Sequence, residues 1–344
     1  MAAIEPRYAA CHAEDVIRLE DQLAQIVVSI SPSAGNIVFE MRISGRDVLW
    51  FPYDSVDDFK TAGHGFAGLP FLGPWANRLD EPAFYANGRR FAFDMTLGNL
   101  RDEIPIHGLL MATDRWRVLE VDADDCSAWV TSRLDFFREP LWMKQFPFAH
   151  AIELTHRLRD GALEVMTAIE NLSAAPMPVA IGFHPYFQLT DSDRCEWMVS
   201  IGARRHWRLG ITKAPTGETE AIEDIFPNPR AVRISSYALD HVFDDLVRDR
   251  AGTAVMSIWG REQRIDVELG PNFRSMVVYA PESAALCAGE APRPGDFVCL
   301  EPMAGVSNAM NLGHRGLYSD LQYIPPGGTW QESFRIRPSQ REKG

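Results

Sequence analysis

Apolar and polar residues alternate along most of this chain in short runs, and tight-turn residues separate the runs. The clearest case is residues 151–171. Ile152, Leu154 and Leu158 share one parity, Asp160-Gly161 reverses the chain, and Leu163, Val165 and Ile169 alternate after it. A two-residue period marks half-buried strands, so the segment predicts a β-hairpin. Residues 41–50 read as strand, turn and strand about Ser44-Gly45, and residues 84–93 place Asn87-Gly88 between apolar flanks. Asn-Gly tolerates positive φ at both central positions, as tight hairpins require. Further strands are predicted at 116–121, 128–136, 265–269, 274–280, 297–301 and 332–337. Helical periodicity is scarce, and the pattern predicts only short helices near 138–143 and 235–246.

The 25 glycines and 23 prolines are spread along the chain, and no linker divides it into two compositional zones. The expected fold is therefore all-β, a single large antiparallel β-sandwich over residues 25–338 with long loops along one face. Residues 1–24 form an N-terminal extension in this reading, either loose or an edge segment. Residues 1–20 are polar and weakly patterned, and Ser339 to Gly344 are expected to fray. The length of 344 residues suits two domains, but sandwiches and barrels often run long as one unit.

Charge narrows the range of partners. Lys and Arg number 34 against 47 Asp and Glu, a net charge of −13. That balance opposes nonspecific binding to nucleic acid or anionic membranes and is compatible with a local basic pocket. The five cysteines (Cys11, Cys126, Cys195, Cys287 and Cys299) are widely spaced and include no CxxC. A disulfide scaffold or a cysteine zinc site is not expected, and a reducing compartment, by default the cytoplasm, fits better. Leu23 to Ile30 is apolar but short and follows Glu20 and Asp21, so neither a signal peptide nor a membrane span is read there.

Five short motifs carry polar residues at or near predicted strand ends. His184 stands in Phe183-His184-Pro185-Tyr186-Phe187, and Pro185 biases it towards extended backbone. It reads either as a general acid on a rigid strand end or as a core histidine bonded to a carbonyl. Glu301 ends the apolar run Phe297-Val298-Cys299-Leu300 and precedes Pro302. It reads as a base whose pKa is raised by a semi-apolar site, or as a strand-end carboxylate facing water. His107 precedes Gly108, which permits close approach of a ligand or an unusual turn; a turn histidine is the plainer alternative. Asn77 and Arg78 follow Gly73-Pro74-Trp75-Ala76, and Arg78 offers several fixed donors to ligand hydroxyls or joins a surface salt bridge. Asp240, in Leu239-Asp240-His241-Val242-Phe243, accepts from vicinal hydroxyls or caps a short helix. His64-Gly65 has a similar look but lies in a glycine-rich loop. Trp50, Trp75 and Tyr186 are the aromatics nearest these motifs and suit stacking on a sugar face, although most aromatics are core. The spacing of the histidines and carboxylates matches no compact metal motif.

Taken in order, Gly73 to Leu79, Ile106-His107-Gly108, Gly182 to Phe187, Leu239 to Phe243 and Val298 to Pro302 resemble the aldose 1-epimerase (galactose mutarotase) family. Ser307-Asn308-Ala309 and Pro325-Pro326-Gly327-Gly328 look like the family too, so that the resemblance spans about residues 25–338. It implies the galactose mutarotase-like β-supersandwich and an isomerase that interconverts α and β anomers of an aldose. By resemblance His184 is the general acid, Glu301 the general base, and Arg78, His107, Asp240 and Asn77 hold the sugar. It implies neither metal nor organic cofactor, a monomer or homodimer, and no nucleic-acid or membrane partner. One departure is that His107-Gly108 is followed by Leu109-Leu110-Met111 rather than by a second glycine. Some relatives act on hexose 6-phosphates. Arg89, Arg90 and Arg101 offer a phosphate site here, or are simply exposed hairpin arginines. A non-catalytic sugar-binding protein is the alternative from another class.

Overall fold

A computed structural model describes residues 6–63, 66–281 and 296–340. The His64-Gly65 loop, Cys287 and residues 341–344 lie outside the described residues. Among the described residues the strands make three main sheets, and every strand ladder is antiparallel. The nine-stranded sheet carries the hairpin read at 151–171. His150–Arg159 pairs with Ala162–Asn171, with Leu158 opposite Leu163. Asp160 and Gly161 take φ of 49° and 73° at its turn, and Asn87-Gly88 does the same between Ala83–Ala86 and Arg89–Ala92. Positive φ at both turn positions matches the right-handed twist of the paired strands, so these dipeptides set the registers. The parity reading holds: Ile152, Leu154, Leu158, Leu163, Val165 and Ile169 are all buried in one core with Val267, Phe334 and Ile336.

The eight-stranded sheet frames the site. Leu239–Leu246, Ser275–Ala280 and Val298–Met303 lie side by side at its centre, and Gly182–Phe183 and Tyr186–Phe187 both pair with the last of these. The helix expected near 235–246 is instead the strand Leu239–Leu246, preceded by a 3-10 turn at Ile234–Ser236. Three carboxylates in that run disguise its period. Val242 and Phe243 are nonetheless buried, and paired strands on both sides satisfy the backbone. The helix near 138–143 is present as Pro140–Gln145, entered through a proline in its first turn. A helix at Val56–Ala62, capped by Ser55 accepting from the Asp58 amide, and another at Ala309–His314 had no visible period.

The beginning of the chain is not a loose extension where it is described. Tyr8–Ala13 and Val16–Asp21 pair at one edge of the five-stranded sheet, with Tyr8–Ala13 outermost. Ile17 and Leu19 enter the main core, and the Tyr8 hydroxyl accepts from the Asp160 amide at 3.0 Å. Asp21, fully buried, is bonded by Arg7 and by the amides of Leu23 and Ala24. A carboxylate with those partners can sit at a buried position, so the polar composition of this segment hid its pattern. No helix among the described residues is long and apolar enough to cross a membrane.

Two core histidines make stability pH-dependent. Burial lowers both His150 and His156 from the ordinary 6.5 to about 4. In the unfolded chain they gain protons as pH drops below about 6.5, whereas the native state leaves them neutral until about 4. Their contribution is complete above about pH 6.5 and declines as pH falls towards 4. Thermal unfolding is expected to show Tm dropping steadily from pH 7 to pH 4.5, with a shallower slope in His156→Leu. An unchanged slope in that variant would remove His156 from the account.

Candidate active site

Five segments from across the chain bring their polar residues to one cleft of about 570 Å³. Asn77, Arg78, His107, His184, Asp240 and Glu301 all line it, together with Trp50, Tyr186, Tyr279 and Phe297. Every site residue read from the motifs is therefore brought to one place. Trp75 is not: it lies in the core beside Phe93, with ring centroids 4.9 Å apart.

Backbone contacts place each group. The amide of Ala76 donates to Ala180 at 2.7 Å, and His107 donates its amide to the Asn77 carbonyl at 3.0 Å. Asn77 and His107 both have positive φ, 55° and 61°. Gly108 follows with φ of 66°, and a Cβ there would lie 2.1 Å from the Gly73 carbonyl oxygen. Glycine is thus required for the crossing that presents His107 beside Asn77. The His184 amide donates to Pro70 at 3.1 Å, which holds the residue between its two short strands. Asp240 sits opposite Tyr279, and Glu301 opposite Val277, on the central strands of the sheet.

The side chains form two polar groups. Glu301, 1% exposed, lies with Oε1 3.2 Å from His184 Nε2, and its Oε2 is 3.5 Å from Asn77 Nδ2. Arg78 Nη1 lies 3.5 Å from Asp240 Oδ1, and the Arg78 amide donates to Asn77 Oδ1 at 2.8 Å. The His184 ring stacks on Tyr186 at 4.6 Å and meets His107 edge-on at 5.2 Å. Trp50, Tyr186 and Phe297 pack together as an aromatic wall.

Burial dominates the electrostatics. It raises the Glu301 carboxyl well above its ordinary value, and the nearby Asp240 charge adds to this, against Arg78 and the Asn77 bond. Burial lowers His184 to about 3, with Arg78 acting in the same direction. Burial likewise pushes His107 well below 6.5, helped by His184, Arg78 and Arg101. A charged pair in a dry pocket loses its hydration, so Glu301 and His184 favour one shared proton held as carboxylic acid and neutral imidazole. Such an arrangement can exchange protons with a bound polar molecule while Arg78, Asp240 and Asn77 bond its hydroxyls.

Some lining residues carried no readable signal. Tyr279 and Phe297 reach the cleft through strand register, which the sequence does not display. Arg101 lines it too, its guanidinium 4.9 Å over the Phe66 ring. Arg89 and Arg90 do not: Arg90 pairs with Glu81 at 2.8 Å, and Arg89 lies over Phe91.

Residues 15–337 match the sequence profile of the aldose 1-epimerase family. The chain belongs to the aldose 1-epimerase family. Solved structures agree on the fold. A galactose mutarotase-like protein from Clostridium acetobutylicum superposes with a TM-score of 0.82 at 22% identity, over 97% of this chain and 98% of that one. An aldose epimerase homologue from C. elegans gives 0.73 at 17% identity, over 93% and 97%. A galactose 1-epimerase from Lactobacillus acidophilus gives 0.72 at 14% identity, over 97% and 98%. The all-β architecture of this aldose 1-epimerase family member is thus the galactose mutarotase-like fold.

The crossing at Gly108 gives a stability test. Gly108→Ala combines a strained φ with backbone overlap and is expected to cost about 3 kcal/mol in urea denaturation. Gly88→Ala, also at positive φ but with nothing within 4 Å, is expected to cost about 1 kcal/mol. Equal costs would mean that the approach to Gly73 is not what selects glycine.

Proposed function

We propose that this chain is a cofactor-independent aldose 1-epimerase, with Glu301 as general base and His184 as general acid. The observation that carries the reading is the 3.2 Å contact between these two buried groups at a cleft also lined by Arg78 and Asp240. In the ionised form of the pair, the Glu301 carboxylate takes the proton of the anomeric hydroxyl. The His184 imidazolium gives its proton to the ring oxygen as the bond from that oxygen to C1 breaks. The products are an open-chain aldehyde, a protonated Glu301 and a neutral His184. Rotation about C1–C2 turns the other carbonyl face to the hydroxyl. On reclosure His184 takes the hydroxyl proton and Glu301 returns one to the new anomeric oxygen.

The pair carries one proton throughout, and only its location changes. Burial, which favours carboxylic acid and neutral imidazole, therefore stabilises the protonation state that accompanies the open chain. The opposing charge of Arg78 and the bond from Asn77 keep the carboxylate accessible for the ring form. Arg78, Asp240, His107 and Asn77 hold the hydroxyls, and Trp50 and Tyr186 offer stacking surfaces.

Glu301→Gln removes the base and keeps the shape. It is expected to lower the rate of α-D-galactose or α-D-glucose mutarotation, followed by polarimetry, by about 10²-fold or more. Sugar binding by calorimetry is expected to change little. Full activity in the variant would end the assignment of Glu301 as base.

Arg101 favours a second reading, an anionic sugar such as a hexose 6-phosphate. It lines the cleft, burial lowers its pKa, and no ion pair to it occurs among the described residues. In this reading Arg101→Ala raises KM for the phosphorylated sugar and leaves the free hexose unaffected, and inorganic phosphate competes with turnover. Equal effects on both sugars would exclude it.

A further inference from the structure

A second cavity, of about 430 Å³, shares Asp240 and Tyr279 with the cleft and is also lined by His206, His241 and Lys213. Its wall carries a hydrogen-bonded chain across three strands. Arg208 donates twice to Glu220 Oε2, at 2.9 and 2.8 Å. Glu220 Oε1 lies 3.0 Å from His206 Nδ1, and His206 Nε2 lies 2.9 Å from His241 Nδ1. His241 Nε2 lies 3.0 Å from the Ala238 carbonyl. These contacts close a loop around Leu239 and Asp240, the residue that faces Arg78 in the cleft.

The bonding fixes the charge of the histidines. A carbonyl only accepts, so His241 Nε2 carries hydrogen. Glu220, held as carboxylate by Arg208, only accepts, so His206 Nδ1 carries hydrogen. The contact between the two rings needs one hydrogen more. Two neutral imidazoles own two ring N–H groups between them, and the contacts require one beyond that. The pair therefore holds one shared positive charge when all its bonds are made. Losing that proton leaves two facing lone pairs or strips a bond from Glu220 or Ala238.

We propose that the proton-sharing His206–His241 pair is the positioning device for Asp240, so that loss of its proton weakens sugar binding and leaves the chemical step unaltered. The charged groups around the pair are divided. Burial lowers His241 below its ordinary value, and the facing His206 and Lys213 in the adjoining turn add to this, against the Ala238 bond and Asp240 on the same strand. Glu220 on the neighbouring strand bonds His206 Nδ1. Arg208 acts through Glu220, and Tyr279 faces the pair's cavity from the other side. The aromatic neighbours Phe226 and Phe243 contribute no charge.

The binding consequence rests on the mutarotase reading, so the test has an arm that does not. In protein labelled at histidine with ¹⁵N and at aspartate with ¹³C, NMR is expected to count one more ring N–H on this pair at about pH 6 than at about pH 9. The Asp240 carboxyl resonance is expected to move with that titration in the wild type but not in His241→Phe, which keeps the ring packing, or in His206→Gln. In the second arm, KM for the sugar rises about tenfold over the same pH span in the wild type. KM is already raised and flat with pH in both variants, with kcat matching the wild type. Two N–H groups on the pair at pH 6, an unresponsive Asp240 resonance, or an unchanged KM in active variants would each overturn the proposal. Wild type without mutarotation would defeat the functional reading while the NMR arm still decides this one.

Discussion

Burying a carboxylate in the middle of a sheet is the constraint around which this protein is arranged. Glu301 lies on a central strand, paired on both sides and flanked by buried residues. An isolated ionised carboxylate there would be prohibitive. Its neighbours supply the remedy in graded form. His184 shares its proton, Asn77 offers an amide, and Arg78 contributes charge from a distance while itself held by Asp240. None of these forms a tight ion pair with Glu301. A tight pair would pin the carboxylate in one state, whereas the base proposed above has to take a proton and return it.

The second requirement is to bring these groups together from far apart in the chain. The sheet does this by register. Asp240, Tyr279 and Cys299 stand opposite one another on three adjacent strands, and Glu301 follows two residues later on the same face as Cys299. Asn77 and His107 come from irregular backbone instead, in conformations that only a close crossing at Gly73 and Gly108 sustains. Strands thus carry Asp240 and Glu301, the turn between two short strands carries His184, and the strained crossing brings Asn77, Arg78 and His107 to the cleft from the side.

The sequence displayed local features well. Asn87-Gly88 and Asp160-Gly161 announced their hairpins because backbone conformation at a tight turn is a property of two residues. The six polar site residues were legible because each interrupts an apolar or glycine-framed run. Long-range facts were less visible. Leu239–Leu246 was misread as helical because its carboxylates interrupt the alternation, and only the partner strands explain why they are tolerated. For residues 8–21 the sequence left a loose extension and an edge segment both open, because the burial of Asp21 depends on Arg7 and on a turn that follows it. Tyr279 and Phe297 belong to the cleft through pairings between strands, and Arg101 through the path of a loop. No local pattern encodes either.

The hydrogen bond between Asn77 and Glu301 joins residues 224 positions apart. A chain emerging from the ribosome therefore completes most of its strands before the carboxylate of the site exists. Until then the central sheet lacks Val298–Met303, the strand that joins Ser275–Ala280 to Gly182–Phe183, and an open sheet edge stands where the cleft will form. Contacts of such sequence separation make folding slow and leave intermediates exposed. Assembly of the site is consequently a late event in the life of each molecule, and truncation anywhere before residue 301 removes the site and the closure of the sheet together.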